Sequence, residues 1–351
     1  MKRVELPLGF GTASPMQLAA ALAGLILLAL FPLLDRNASH VSAVADAGYF
    51  VLLVFGLNIV VGFAGLLDLG YAAFFAIGAY TYAMAASTQF NLHLNFWPMI
   101  VVSACVAALF GVILGFPTLR LRGDYLAIVT LGFGEIVPQV FLNLDKYTNG
   151  PNGISNVDQP TIGAFHFGFN PTPYYYVYFV AILVCVVLLN NLRRSRIGRA
   201  WMAIREDELA ARHMGINTTT TKLLAFAMGA SFAGLAGVIY AAKLTLISPD
   251  EFNFSVSVTI LAAIVLGGMG SLLGVFVGGV LLALLNFLIL PQATNWTHAL
   301  GAHLHLPALM SLDFTNYRYM IYGAILVLVM LFRPEGLIPT ASHRAELRVK
   351  R

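Results

Sequence analysis

The sequence predicts an all-α polytopic membrane protein of about ten transmembrane helices with both termini in the cytoplasm. Two observations carry that reading. The 351 residues are 59% hydrophobic and only 10% charged, with a mean hydropathy of +0.82, whereas a soluble globular protein carries about 25% charged residues. No soluble fold of this size can cover that much apolar surface, so lipid must do it. The second observation is that apolar stretches of spanning length recur along the chain, with the basic residues gathered on alternate sides of them.

A bilayer core of about 30 Å needs about 20 apolar residues of helix. That ruler gives stretches at 16–34, 47–65, 69–87, 97–117, 125–142, 174–191, 222–242, 256–270, 271–290 and 318–332, in one membrane domain over 1–351. The first follows the basic Met1–Arg3, is long for a signal segment and lacks a small-residue cleavage site, so it reads as a retained helix. Stretch 256–270 runs almost directly into 271–290 around Gly267, Gly268 and Gly270; a bent or re-entrant pair there would leave nine spans. Charge favours ten. Segments 1–15, 66–68, 118–124, 192–221 with Lys222, and 333–351 then face the cytoplasm and hold 16 of the 20 Lys and Arg, leaving Arg36, Lys146, Lys243 and Arg318 outside. The net charge of +4 therefore reflects topology and implies no nucleic-acid partner; the partner the composition implies is membrane lipid.

Between the spans, the external segment 143–173 contains the turn signal Asn149-Gly150-Pro151-Asn152-Gly153, and 291–317 contains Trp296, His298, His303 and His305. The histidines lack nearby acidic or Cys ligands, so no metal site is expected. Cys105 and Cys185 fall in apolar stretches and read as small buried hydrophobes.

The loop 192–221 is the richest in chemistry. Trp201, Ile204 and Leu209 can share one helical face while Arg205, Glu206, Asp207 and Arg212 point elsewhere, and Gly215 is a helix stop. Such a helix suits docking into a groove of a soluble partner; the same charges also fit a solvated connector. Glycines cluster at Gly62, Gly65, Gly70 and Gly78 and again at Gly267, Gly268, Gly270, Gly274, Gly278 and Gly279. They suit close helix packing, broken helices along a transport path, or a structural repeat. Glu135, beside Gly132 and Gly134, reads as the one carboxylate well inside a span: a proton-coupling site, a hydrogen-bonded group or a pore wall. Asp68 falls at a cytoplasmic end, where exposure is expected. There is no GxxxxGK[ST] phosphate loop, so the chain does not hydrolyse ATP by itself and is not an enzyme.

Several blocks together resemble the LivM-type permeases of bacterial branched-chain amino acid ABC transporters. They are Gly56–Gly65, Leu69–Tyr80, Leu119–Glu135, Gly150–Ile154, Lys222–Phe226, Leu266–Ser271 and Phe332–Leu337, in family order over 47–338. The resemblance implies an ABC importer permease fold in the bacterial inner membrane. It further implies a second homologous permease, two cytoplasmic ATPase subunits that carry the ATP and Mg, a periplasmic substrate-binding protein, and no cofactor in this chain. Loop 192–221 would couple to the ATPases through Arg205, Glu206, Asp207, Glu208, Ala210, Ala211 and Gly215. Leu209-Ala210-Ala211-Arg212-His213-Met214-Gly215 resembles the importer pattern Glu-Ala-Ala, three residues, Gly, but has Leu209 where Glu is usual and lacks the later Ile-x-Leu-Pro. Gly65, Gly70, Gly132, Gly134, Glu135, Gly267, Gly268 and Gly270 would belong to the translocation path, and loops 143–173 and 291–317 would receive the binding protein. Related urea and short-chain amide permeases share the architecture, and Leu69-Gly70-Tyr71 departs from the Leu-Gly-His of both groups. A gradient-driven transporter using Glu135 is the remaining alternative.

Overall fold

A chain in lipid must satisfy its backbone polar groups internally, and this one does so with helices. The structure, a computed structural model, describes residues 4–5, 12–13, 15–35, 37–118, 121, 123–163, 165–304 and 311–338. Met1–Arg3, Arg36, Arg120, Arg122, His305 and the tail after residue 338 lie outside the described residues. The helices are α1 (Pro15–Leu34), α2 (Ala38–Leu57), α3 (Tyr71–Ala85), α4 (Phe96–Thr118), α5 (Asp124–Asn143), α6 (Asp145–Thr148), α7 (Pro171–Arg194), α8 (Arg196–Glu206), α9 (Glu208–His213), α10 (Thr218–Leu244), α11 (Phe254–Gly267), α12 (Leu272–Leu284), α13 (Leu290–Leu304) and α14 (Arg318–Phe332). Among the described residues, seven helical segments are long and apolar enough to cross a membrane: Ala38–Phe63, Phe96–Thr118, Asp124–Asn143, Pro171–Arg194, Thr218–Leu244, Pro249–Gly267 and Leu272–His303.

The differences from the sequence pattern have physical causes. The helix expected at 47–65 starts at Ala38, because Asn37 caps it by accepting a hydrogen bond from Ser39 N. Asp46 therefore lies inside a span, and Glu135 is not the only carboxylate there. The helix then loosens into a π-turn, Asn58–Phe63, before the chain leaves it. Stretch 69–87 yields only the 15 residues of α3, about 22 Å of helix against a 30 Å core. It is a buried helix shorter than a full span, and ten residues of loop follow it. Stretch 318–332 likewise gives 15 residues in α14. The segment 291–317, expected as an external loop, is helical as far as Leu304: a second π-turn, Leu285–Ile289, carries α12 on into α13. A π-turn absorbs the register shift that Pro291 demands.

Helix α10 is the centre, with α2, α3 and α4 packed around it. Small residues permit the closeness. A Cβ on Gly78 of α3 would sit 2.5 Å from Gly234 Cα of α10, and one on Gly111 of α4 would sit 2.7 Å from Phe226 O. α11 and α12 form an antiparallel hairpin across the four-residue turn 268–271, where a Cβ on Gly278 would lie 2.8 Å from Gly267 Cα. At the other end of the molecule, Ile154–Ser155 pairs with Leu246–Ile247 as a short antiparallel ladder.

Candidate functional site

The connection from α7 to α10 is built by its caps. Ser195 accepts from Gly198 N at 3.2 Å and starts α8. Asp207, in extended conformation, then ends α8 and starts α9, accepting from Leu209 N at 2.8 Å and Ala210 N at 3.0 Å. This break corrects the expected helical face. Trp201 and Ile204 are buried, whereas Leu209 is 57% exposed, because a new helix begins between them. Trp201 donates from Nε1 to Thr221 O at 2.7 Å, and Lys222 pairs with Glu208 at 2.7 Å with only 6% of the lysine side chain exposed. Breaking one partner of such a buried pair costs about 3–5 kcal/mol, so α8 and α9 are clamped to the first turn of α10. What remains exposed is a knob of Glu206, Asp207, Leu209, Ala210, His213, Met214 and Gly215. Arg205, Glu208 and Ala211 turn toward the bundle.

Arg205 reaches a junction between four segments. Its Nη1 donates to the carbonyl of Gly62, in the π-turn that leaves α2. A Cβ on Gly65 would meet Arg205 Cγ at 2.8 Å, and a Cβ on Gly270 would meet Arg205 Nη1 at 3.0 Å. Gly65 and Gly270 also have positive φ, +69° and +78°, a conformation glycine adopts freely. Asn58 Oδ1 accepts from Gly270 N at 3.1 Å, tying the π-turn to the α11–α12 turn. The fourth segment is the chain after α14: Leu337 N donates to Leu266 O at 2.9 Å and Ile338 N to Gly267 O at 3.0 Å. Gly62 and Gly65 of the first glycine cluster and Gly270 of the second thus meet at one point, under the end of α8.

The segment 64–70 folds inward instead of emerging. Asp68, expected to be exposed, is fully buried. Its Oδ1 accepts from Gly70 N at 2.9 Å, and its Oδ2 has no hydrogen-bond partner among the described residues. Leu69 N donates to Thr130 Oγ1 of α5 at 3.0 Å, and Ala72 N to Ser257 Oγ of α11 at 2.9 Å. Gly70 and Gly134 pack back to back, a Cβ on Gly134 lying 2.7 Å from Gly70 Cα. The structure therefore brings Gly65, Gly70, Gly134, Gly267, Gly268 and Gly270 to helix breaks and tight crossings. It separates Gly132 and Glu135 from them: a Cβ on Gly132 would meet nothing, and Glu135 is exposed on the outer face of α5.

Comparison with known proteins agrees with this architecture. The model of the family described as "Branched-chain amino acid transport system / permease component" matches residues 39–330. The chain belongs to this permease family. The permease is 40% identical over 321 residues to the high-affinity branched-chain amino acid transport system permease protein LivM of Salmonella typhimurium, covering 85% of this chain and 70% of that one. It is 25% identical to LivH of Escherichia coli, over 82% of this chain and 91% of the relative. It is 27% identical to the probable branched-chain amino acid transport permease LivM of Methanocaldococcus jannaschii, over 84% and 87%. No solved structure matches. The permease is a multi-pass membrane protein and a non-enzymatic component of its transport system. Three features of its site escaped the sequence: the burial of Asp68, the Asn58–Gly270 tie and the clip at 337–338. Only Asn58 carried a signal, as a polar residue inside an apolar run.

Proposed function

We propose that this permease is the membrane subunit of an ATP-driven importer of branched-chain amino acids. It works with a second, homologous permease, two cytoplasmic ATPase subunits that supply Mg–ATP, and a periplasmic binding protein, and it needs no cofactor of its own. In this reading the basic loop 192–221 faces inward, which puts α8 and α9 on the cytoplasmic side. The observation that carries the proposal is the Arg205 junction. The exposed knob, Glu206, Asp207, Leu209, Ala210 and Gly215, seats in the ATPase; Arg205, Glu208 and Ala211 turn inward and pass its movement on. Movement of α8 then pulls on Gly62 and Gly65 before α3, and on Gly267, Gly268 and Gly270 between α11 and α12. Opening of the path between permeases follows from shifting these breaks.

The test places a charge in the apolar part of the knob. Leu209→Asp with Met214→Asp, both at exposed positions, leaves the membrane bundle intact and lowers recovery of the ATPases with the tagged permease roughly tenfold or more. Full ATPase recovery with undiminished uptake would sink the coupling assignment. Uptake of urea or short amides in place of leucine, isoleucine and valine would sink the substrate.

A further inference from the structure

Membrane helices show which medium they face by what they expose. The outer face of α4 carries Val101, Val102, Leu109, Ile113 and Phe116, and that of α7 carries Val180, Val184 and Leu188. Those are lipid-facing surfaces. α5 differs. Its buried side is Leu126, Ala127, Thr130, Gly134 and Val137. Along its outward side, at spacings of three and four, run the exposed Tyr125, Ile128, Glu135, Gln139 and Asn143, with the half-buried Gly132 between Ile128 and Glu135. Glu135 lies eleven residues from Asp124 and eight from Asn143, about 16 Å and 12 Å along the axis, so it sits near the middle of the bilayer. A carboxylate facing acyl chains there is costly, and ionisable groups in spans almost always face a bundle interior or a water-filled cavity. Among the described residues, no atom lies within 4 Å of a Cβ built on Gly132.

We propose that the exposed stripe of α5 faces the second permease across the translocation path, and that Glu135 and Gln139 are its contact for a zwitterionic α-amino acid. This rests on the importer reading above and adds the substrate's recognition to it. Glu135 accepts hydrogen bonds from the ammonium group. Gln139, four residues on and about 6 Å away along the axis, donates from its amide to the carboxylate. Ile136 and Val140, exposed beside them, face the aliphatic side chain. The absence of a Cβ at Gly132 leaves room for it. A neutral urea or amide offers no ammonium group, so this stripe selects the amino acid.

The experiment uses the complete complex in proteoliposomes, with [14C]leucine uptake and ATP hydrolysis stimulated by loaded binding protein measured together. Glu135→Gln is expected to lower leucine uptake roughly tenfold, the worth of one hydrogen bond to a charged group, with stimulated ATP hydrolysis little changed; Glu135→Asp retains most of the uptake. In a background with Cys105→Ala and Cys185→Ala, Glu135→Cys is labelled by a membrane-impermeant cationic thiosulfonate and protected by leucine, whereas Ile113→Cys on α4 is not labelled. Unchanged uptake in Glu135→Gln, or labelling of Ile113→Cys and not of Glu135→Cys, overturns the proposal while leaving the importer reading intact. A wild-type complex that hydrolyses ATP without leucine uptake overturns the importer reading itself and this inference with it.

Discussion

Between Phe63 and Tyr71 the chain leaves the helix for seven residues, and between Gly267 and Leu272 for four. Beyond the main-chain bonds from Ala64 N to Ile59 O and Leu66 N to Val60 O, the first break and its flanks are held by side chains from distant elements: Thr130 of α5 on Leu69 N, Ser257 of α11 on Ala72 N and Arg205 of α8 on Gly62 O. The second is held mostly by main chain, beside the Asn58 side chain on Gly270 N. Leu337 N and Ile338 N clip onto Leu266 O and Gly267 O, Gly268 N donates to Ile264 O, and Ser271 N donates to Gly268 O. Side-chain ties can lengthen or exchange partners as rotamers change, whereas a backbone clip moves only as a unit. The longer break thus has the more exchangeable ties, and we expect the stiffer α11–α12 turn to act as the pivot against which it moves. Asn58 and Arg205 join the two.

The strongest way to break this pairing is Gly70→Ala. The new Cβ would overlap the carbonyl of Thr130, and Gly134 N would lie 3.0 Å away. Both are backbone atoms of a packed helix, so α3 and α5 must separate. Overpacking costs typically 1–3 kcal/mol and more where the obstacle is rigid. We expect the protein to fail to accumulate in the membrane, or to lose its thermal transition in detergent. Gly132→Ala, on the same helix pair but with open space at its Cβ, leaves both readouts at wild type. Equal damage from the two substitutions would contradict the tight crossing.

A smaller effect is expected at the stiff break. Gly336 has φ +85°, and its Cβ would meet Gly268 Cα at 2.6 Å. Gly336→Ala combines the left-handed strain of a non-glycine residue with a push against the clip, about 2–3 kcal/mol together. The apparent Tm falls, but the bundle still folds, because the clip lies at the edge of the core. If the pivot role holds, ATP hydrolysis in the complex becomes less responsive to the loaded binding protein. A lowered Tm with full responsiveness would leave the clip structural and remove its place in the movement.

What the sequence made legible follows from how local each signal was. Apolar length, the glycine clusters and the loop 192–221 are local patterns, and each marks a feature of the structure. The outward turn of Leu209 was hidden because periodicity assumes one helix, although Asp207 followed by Glu208 is itself a cap signal. The clip at 337–338 and the meeting of Gly62 with Gly270 join residues far apart in sequence, and no spacing announces them. Asp68 was misjudged for a related reason. A polar residue between two apolar stretches is exposed if both are full spans. α3 is only 15 residues long, so the chain between α2 and α3 returns into the bundle and takes the carboxylate with it.

Asp68 is also where the finest test of the adjustable break lies. Its Oδ1 holds Gly70 N, and its Oδ2 is buried with no hydrogen-bond partner among the described residues. An unmatched buried polar atom costs about 1–3 kcal/mol, more if it is charged. Asp68→Asn keeps the acceptor for Gly70 and the shape, and removes any charge from the break. We expect the apparent Tm to stay within the equivalent of about 1 kcal/mol or to rise, with the Gly70 turn intact. If the carboxylate serves movement rather than stability, ATP-driven uptake falls even as Tm holds, because the break has lost the group whose unmet hydrogen bond favours a second arrangement. A large drop in Tm would mean instead that the carboxylate is ionised and matched by a positive partner, making the break as firmly held as the clip and erasing the contrast between them.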